Sequence, residues 1–289
     1  MKKLGFVGGG NMAEALMRGL LERRVFTPAD LIASDVDPAR RQKLKRRLKV
    51  DTTNDNVEVV RESRAILLAV KPQNIDEVLH ELAGAMQPQS ETTNGKGRKP
   101  ADRPPRLKDR LFISIAAGIT LARLNSVLGE RARVIRVMPN APAMVGQGMA
   151  ALVRGGGASK TDGALALRIF RAVGDAVAVA DESLLDAVTA LSGSGPAYVY
   201  LFVKAMADAG VAEGLPAELA LRMALKTIRG AEENMRQSPL DASELIRIVA
   251  SPGGTTEAAL RKFAEAGFSD IVAGALHAAA ARSRELGRS

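Results

Sequence analysis

The residues with the clearest chemical purpose stand near the start of the chain. Leu4-Gly5-Phe6-Val7, a short apolar run, feeds directly into Gly8-Gly9-Gly10-Asn11-Met12-Ala13. In a strand–turn–helix unit, glycine at position 8 permits a tight exit from the strand and glycine at 10 lets the backbone approach a pyrophosphate. A small residue at 13 lets the helix pack closely on the sheet. The segment Glu14-Ala15-Leu16-Met17-Arg18-Gly19-Leu20-Leu21 has apolar residues at helical spacing, so a helix N-terminus, with free N–H groups and a positive dipole end, would face the anion. A lone G-x-G-x-x-A turn is a weak signal, because glycine-rich turns are common. Here a second strand, Leu31-Ile32-Ala33-Ser34, follows at βαβ distance and ends on Asp35, where a carboxylate can take the ribose hydroxyls of a dinucleotide.

Three later segments also carry candidate chemistry. Leu191-Ser192-Gly193-Ser194-Gly195-Pro196-Ala197-Tyr198 and Ser251-Pro252-Gly253-Gly254-Thr255-Thr256 cluster small residues at helix junctions, which lets a ligand or another backbone come close. The second runs into Glu257-Ala258-Ala259-Leu260, so the N–H groups of Gly254, Thr255 and Thr256 could form a carboxylate-sized anion site. Spacing alone leaves open whether these are ligand loops or two capped helix starts. Tyr200-Leu201-Phe202-Val203-Lys204 matches the Tyr-x-x-x-Lys acid/base pair of short-chain dehydrogenases, with both side chains on one helix face. The context argues against that reading. The cofactor turn of that family is Gly-x-x-x-Gly-x-Gly, and Tyr200 falls among helices rather than in the nucleotide half, so it reads as a packing residue.

Positioning these groups requires a sheet, and strands alternate with helices through the first half. Residues 57–64 have a helical pattern, and 65–70 form a continuous apolar run suited to a strand covered on both faces. Residues 74–86 read as an amphipathic helix, and 111–115 and 133–137 as short β-branched strands. Residues 150–153 and 176–179 read as later strands flanking a helix at 160–173. The expected class is therefore α/β: a doubly wound sheet of about eight strands, some antiparallel, over residues 1–180. From 181 to 289 helical periodicity is nearly unbroken, through 184–191, 197–209, 217–237, 242–250, 256–266 and 271–286. Ala and Leu on more than one face of those helices predict burial against a second subunit as well as the first domain, and so a homodimer.

Composition narrows the function further. The 289 residues are 46% hydrophobic and 25% charged, those of an ordinary globular protein. Cysteine is absent, which removes disulfides, thiolate nucleophiles and cysteine-ligated metals together and fits a reducing compartment. His80 and His277, the only histidines, lie far apart, so no metal site is expected and both read as surface or packing residues. Met1-Lys2-Lys3 before Leu4 superficially resembles a signal peptide, but the apolar run is too short, and no stretch is apolar enough to span a bilayer. A cytoplasmic location and no membrane partner are expected. The net charge of +9 is concentrated in part in a Pro/Gly-rich stretch, residues 87–110, and aromatics are 3%, too few for base-stacking platforms. That stretch reads as a solvated insertion, and no nucleic-acid partner is expected.

Taken together, the segments at 5–13, 69–72 (Ala69-Val70-Lys71-Pro72), 191–198 and 251–256 resemble those of the pyrroline-5-carboxylate reductases, in order and over essentially the whole chain. The departure lies at about 87–108, which is longer and more basic than the family's usual link. The resemblance implies an N-terminal Rossmann domain, a helical dimerisation domain that also binds substrate, and assembly as dimers or a decamer of five dimers. It implies reduction of 1-pyrroline-5-carboxylate to L-proline with NADPH or NADH. By the family pattern, Gly8, Gly10, Asn11, Met12 and Ala13 meet the phosphates, Ser34 and Asn56 the adenosine side, and Ala69, Val70, Lys71 and Pro72 the nicotinamide side. Ser251, Gly253, Gly254, Thr255 and Thr256 would hold the substrate, with Thr256 at the ring nitrogen and backbone amides on the carboxylate. Ser192, Gly193, Ser194 and Gly195 would line the same cleft. Lys71 is equally readable as a solvated strand-end lysine.

Asp35 favours NADH by repelling a 2′-phosphate, whereas Ser34, Arg40 and Arg41 nearby could neutralise one, so use of both cofactors is expected. Two rival functions are a β-hydroxyacid dehydrogenase, whose Gly-x-x-x-Lys-x-x-x-Asn helix pattern is missing here, and a non-catalytic dinucleotide-binding scaffold.

Overall fold

The structure, a computed structural model, describes residues 1–85 and 107–287, so most of the basic stretch lies outside the described residues. It divides into two compact units, Met1–Gly193 with Ala280–Ser289, and Ser194–Ala279.

The first unit is built on a sheet of eight strands among the described residues: β1 (Lys2–Val7), β2 (Leu31–Ser34), β3 (Asp51–Thr53), β4 (Ser63–Leu68), β5 (Leu111–Ser114), β6 (Arg133–Met138), β7 (Gly148–Arg154) and β8 (Gly174–Ala178). Their order is β3-β2-β1-β4-β5-β6-β7-β8. β3 through β6 run parallel, β7 pairs antiparallel with β6, and β8 is parallel to β7. The expectation of a doubly wound sheet with some antiparallel pairing is met, and β3, which the pattern did not reveal, supplies an edge. Asp51-Thr52-Thr53 has no apolar side chain, so only its backbone pairing with β2 marks it as a strand.

Among the described residues, seven α-helices lie wholly in this unit: α1 (Asn11–Glu22), α2 (Pro38–Leu48), α3 (Asn56–Glu62), α4 (Ile75–Ala85), α5 (Leu121–Leu128), α6 (Lys160–Phe170) and α7 (Leu184–Val188). The sheet buries both faces, and strand alternation sorts the side chains. Leu4, Phe6, Ala65 and Leu67 join one cluster with Leu16, Leu20 and Phe170, while Val7, Ile66 and Leu68 join another with Val59, Leu79 and Leu124. This two-sided burial explains the unbroken apolar run of β4, whose last residue is Leu68, leaving Ala69 and Val70 as the turn beyond it.

The second unit contains α8 (Gly195–Ala212), α9 (Ala217–Gln237), α10 (Ala242–Val249) and α11 (Thr255–Glu265), with most of α12 (Phe268–Leu286). The last turns of α12 group with the first unit, where Ser283 Oγ donates to Asp186 Oδ1 at 2.7 Å. Within the second unit only Val203, Ala207, Ala220 and Ala224 are buried, whereas Leu201, Leu221, Leu225, Ile248 and Ile271 are among many exposed apolar side chains. The helix expected over 184–191 ends earlier, at Val188, and continues as a π-helical turn over Thr189–Gly193. Among the described residues no helix is long and apolar enough to cross a membrane.

Candidate functional site

The strand order reverses between β1 and β4, because β2 and β3 lie on one side of β1 and β5 and β6 on the other side of β4. Ligands in open α/β sheets bind beyond the carboxyl ends of the strands at such a point. Gly8 sits there with φ +96°, its N–H bonded to the Ser34 carbonyl at 3.0 Å. A Cβ on Gly8 would stand 2.9 Å from the Ala69 backbone, so glycine is required both by the backbone angle and by the approach of the next turn. Gly10, by contrast, has ordinary angles, and a Cβ there would meet nothing within 4 Å. The space over Gly10 is open. No side chain caps α1, which leaves the N–H groups of Asn11, Met12 and Ala13 for an anion. Ala13 is fully buried and Met12 packs against the core, so those two side chains anchor the helix while their amides face outward from its end.

Charge around the turn is arranged on purpose-built contacts. Asp35 Oδ2 accepts the Gly9 N–H at 2.9 Å, and Oδ1 accepts that of Asp37 at 2.9 Å. Arg40 donates from Nε to the Gly9 carbonyl at 2.7 Å and from Nη2 to Asn11 Oδ1 at 2.6 Å. Glu14, an acid in the first turn of α1, would oppose a bound phosphate if left unpaired. It is met by Lys43 at 2.8 Å, Arg40 at 3.4 Å and Arg47 at 3.4 Å. Burial alone would raise the Glu14 carboxyl, yet the Lys43 hydrogen bond and the charges of Lys43, Arg40 and Arg47 outweigh it and hold the group below its usual range.

On the adenosine side, Ser34 is 1% exposed and its hydroxyl donates to Asn56 Oδ1 at 2.7 Å. Asn56 in turn donates to Glu81 Oε2 at 2.7 Å. Ser34 thus positions Asn56 rather than facing solvent. Beyond β4, the Ala69 N–H bonds the Val7 carbonyl at 2.8 Å, and Lys71 and Pro72 are exposed at the start of a 3-10 turn, Pro72–Asn74.

One polar residue at this same edge escaped the sequence reading. Asn140, just past the end of β6, donates from Nδ2 to the Ser192 carbonyl at 3.1 Å and hydroxyl at 3.2 Å, and accepts the Met149 N–H at 2.8 Å. It clamps the π-helical turn to the sheet. Gly193 lies so close to Met138 that a Cβ there would be 2.7 Å from its Cε. The available signal was positional: a polar residue two positions past the end of β6. Ser194 and Gly195, half-buried, begin α8, and a Cβ on Gly195 would meet nothing within 4 Å.

The turn at 251–256 lies in the second unit. Gly253 has φ +70°, its N–H bonds Glu257 Oε2 at 2.5 Å, and Gly254 N–H bonds the Ser251 carbonyl at 3.0 Å. Gly254 is the N-cap of α11 and no side chain caps that helix, so the N–H groups of Thr255, Thr256 and Glu257 lack a side-chain acceptor. Ser251 and Thr255 are exposed and Thr256 is half-buried. An uncapped start with two hydroxyls beside it can hold a carboxylate and offer an O–H to a neighbouring nitrogen.

Tyr200 and Lys204 do not form an acid/base pair. Lys204 Nζ is bound to Asp208 at 2.5 Å, and Tyr200 is 64% exposed rather than packed inside the chain. That corrects the packing expectation: Tyr200 borders an apolar groove between α8 and α9, of about 770 Å³, lined also by Val199, Val203, Leu221, Leu225 and Ile228. His80 and His277 are both exposed.

Comparison with known proteins gives the same picture. Residues 182–286 match the family described as pyrroline-5-carboxylate reductase dimerisation, and residues 3–91 match NADP oxidoreductase, coenzyme F420-dependent. The chain is 40% identical to a pyrroline-5-carboxylate reductase of Synechocystis over 99% of this chain and 98% of the relative. It is 38% identical to one of Arabidopsis thaliana, over 99% and 96%. Among solved structures, a pyrroline-5-carboxylate reductase from Coxiella burnetii aligns over 100% of this chain and 99% of the other with TM-score 0.86 and 32% identity. One from Plasmodium falciparum with NADP bound aligns over 99% and 98% with TM-score 0.83 and 30% identity. With an open glycine turn at the reversal point of the sheet, a helical second unit, and 38–40% identity over 99% of its length, this chain belongs to the pyrroline-5-carboxylate reductase family.

Proposed function

We propose that the chain reduces 1-pyrroline-5-carboxylate to L-proline with NADPH or NADH. The observation that carries the reading is the presence, one in each unit, of two uncapped helix starts behind glycine turns, at Gly10 and Gly254, in a chain 40% identical to a pyrroline-5-carboxylate reductase of Synechocystis. The residues present fit a dinucleotide: the space above Gly10 is open, the α1 amides are unspent, and Asp35 ends β2 beside them. Gly8, Gly10, Asn11, Met12 and Ala13 hold the pyrophosphate, Asp35 and Asn56 the adenosine ribose side, and Ala69 to Pro72 border the nicotinamide. A bound reduced nicotinamide supplies the hydride.

The chain's own task is then small. A cyclic imine that arrives protonated already carries the charge that attracts hydride, so no strong acid/base dyad is needed, and orientation with exclusion of water suffices. The amides at the start of α11 hold the substrate carboxylate, with Ser251, Gly253 and Gly254 shaping the turn. Thr256 holds the ring nitrogen, and Thr255 flanks it. Ser192, Gly193, Ser194 and Gly195, the first of them clamped by Asn140, supply a close-approach wall.

The apolar groove along α8 and α9 and the sparse core of the second unit support a homodimer through this region, and the family resemblance supports assembly of dimers into a decamer. The absence of cysteine accords with a cytoplasmic location.

The test is loss of NADH or NADPH absorbance on adding 1-pyrroline-5-carboxylate, with proline as product. Nucleotide binding without turnover would instead identify a scaffold. Thr256→Ala is expected to lower kcat by about tenfold or more while cofactor Kd stays put; unchanged turnover removes Thr256 from the mechanism.

A further inference from the structure

We infer that this chain prefers the dinucleotide without a 2′-phosphate, and that Asp35 makes the choice by fixing a negative charge where the adenosine ribose lies. The inference rests on the dinucleotide reading of the β1–α1 turn and goes beyond it by choosing between the two cofactors.

Asp35 is not a mobile surface acid. Both its oxygens are engaged, by the N–H groups of Gly9 and Asp37 at 2.9 Å each, so the carboxylate is pinned against the turn that receives the pyrophosphate. Ribose hydroxyls can donate to the remaining lone pairs of such a group, whereas a phosphate monoester, with nearly two negative charges, is repelled by it.

Of the cations nearby, Arg40 is engaged through all three nitrogens and Arg41 is tied to the loop backbone through Nη1 alone. Arg40 uses all three nitrogens, on the Gly9 carbonyl, on Asn11 Oδ1 and beside Glu14 Oε2 at 3.4 Å. Arg41 Nη1 donates to the carbonyls of Asp35 at 2.7 Å and Val36 at 3.0 Å. The start of α2, the other place that could cradle a phosphate, is capped by Asp37, whose Oδ1 accepts the Ala39 N–H at 2.8 Å. That cap adds a second carboxylate to the same loop. Ser34 is buried and bonded to Asn56, and the next side chain outward, Val36, is 89% exposed and offers no donor.

The experiment is calorimetric titration of the full chain with ADP-ribose and with 2′-phospho-ADP-ribose, ligands that lack the nicotinamide and therefore report on this site apart from turnover. The unphosphorylated ligand is expected to bind tighter by about tenfold or more. Asp35→Asn narrows that ratio. Because Asp35 also holds the turn, a second variant is needed: Val36→Arg, at a side chain that packs on little, tightens the phosphorylated ligand by about tenfold and leaves ADP-ribose within about twofold. Equal or tighter binding of the phosphorylated ligand by the unaltered chain overturns the inference, as does a ratio that neither variant moves. Binding of neither ligand overturns the dinucleotide reading of the turn, and the preference with it.

Discussion

Gly8 and Gly253 both take positive φ, +96° and +70°, and each is followed by a helix that no side chain caps. Their surroundings differ. The first turn is wedged between strands, with the Ala69 backbone 2.9 Å from where a Cβ would stand, and it is tied by Asp35 and Arg40 from separate elements. The second is held by bonds within its own few residues, Gly254 to Ser251 and Gly253 to Glu257, and neither α10 nor α11 has a buried residue. A turn fixed by tertiary packing keeps its shape without a ligand. One held only by its own neighbours depends on local bonds alone, and it lies in the unit where α8 and α9 leave apolar side chains exposed.

The sharpest way to break this contrast is at the glycines of the first turn. Gly8→Ala forces an L-residue into positive φ and against the Ala69 backbone, and is expected to cost roughly 2–4 kcal/mol in urea unfolding as well as nucleotide binding. Gly10→Val has neither problem and should leave stability within about 1 kcal/mol while nucleotide affinity falls by about tenfold or more, read by calorimetry. If both variants lose stability alike, the open space over Gly10 is not a ligand space.

The second unit is probed next. Leu225→Glu places a charge in the α8–α9 groove, where Leu225 is 53% exposed in the single chain, and should weaken self-association by about a hundredfold or more in sedimentation. An unchanged assembly would move the interface elsewhere.

A smaller effect is expected at Glu14. Its carboxyl is held below the ordinary value of 4.5, so the stability it contributes is complete above that value and is lost as pH falls through the lower folded value. Glu14→Gln should cost about 1 kcal/mol at neutral pH and flatten the acid limb of the stability profile, measured by denaturant melts across pH. The smallest effect is expected at Tyr200→Phe, with kcat within about twofold, since its apparent partner Lys204 is committed to Asp208.

Most of the first turn was legible because each requirement falls on a short stretch of sequence: the exit glycine, the small residue on the sheet, and an acid at the end of the next strand. The β4 run was legible because two-sided burial demands unbroken hydrophobicity. Asn140 was not, since its importance comes from Ser192 and Met149, which reach it only across the fold. Nor was the π-helical turn at Thr189–Gly193, whose residues carry no distinctive periodicity. Helix ends moved by one to three residues, with α8 starting at Gly195, α11 at Thr255 and α12 at Phe268, because caps depend on backbone geometry more than on residue type.

By itself, then, the chain of residues determined which segments become strands and helices and which turns could receive an anion, since periodicity, glycine placement and burial preference act over a few neighbours. Tertiary structure alone decided where the charges went. Asp35 and Arg40 were free to serve a ligand, or each other's surroundings, until folding brought Gly9, Asn11 and Glu14 within hydrogen-bonding or ion-pair reach, and electrostatic partnership depends on distance in space, which sequence separation does not set.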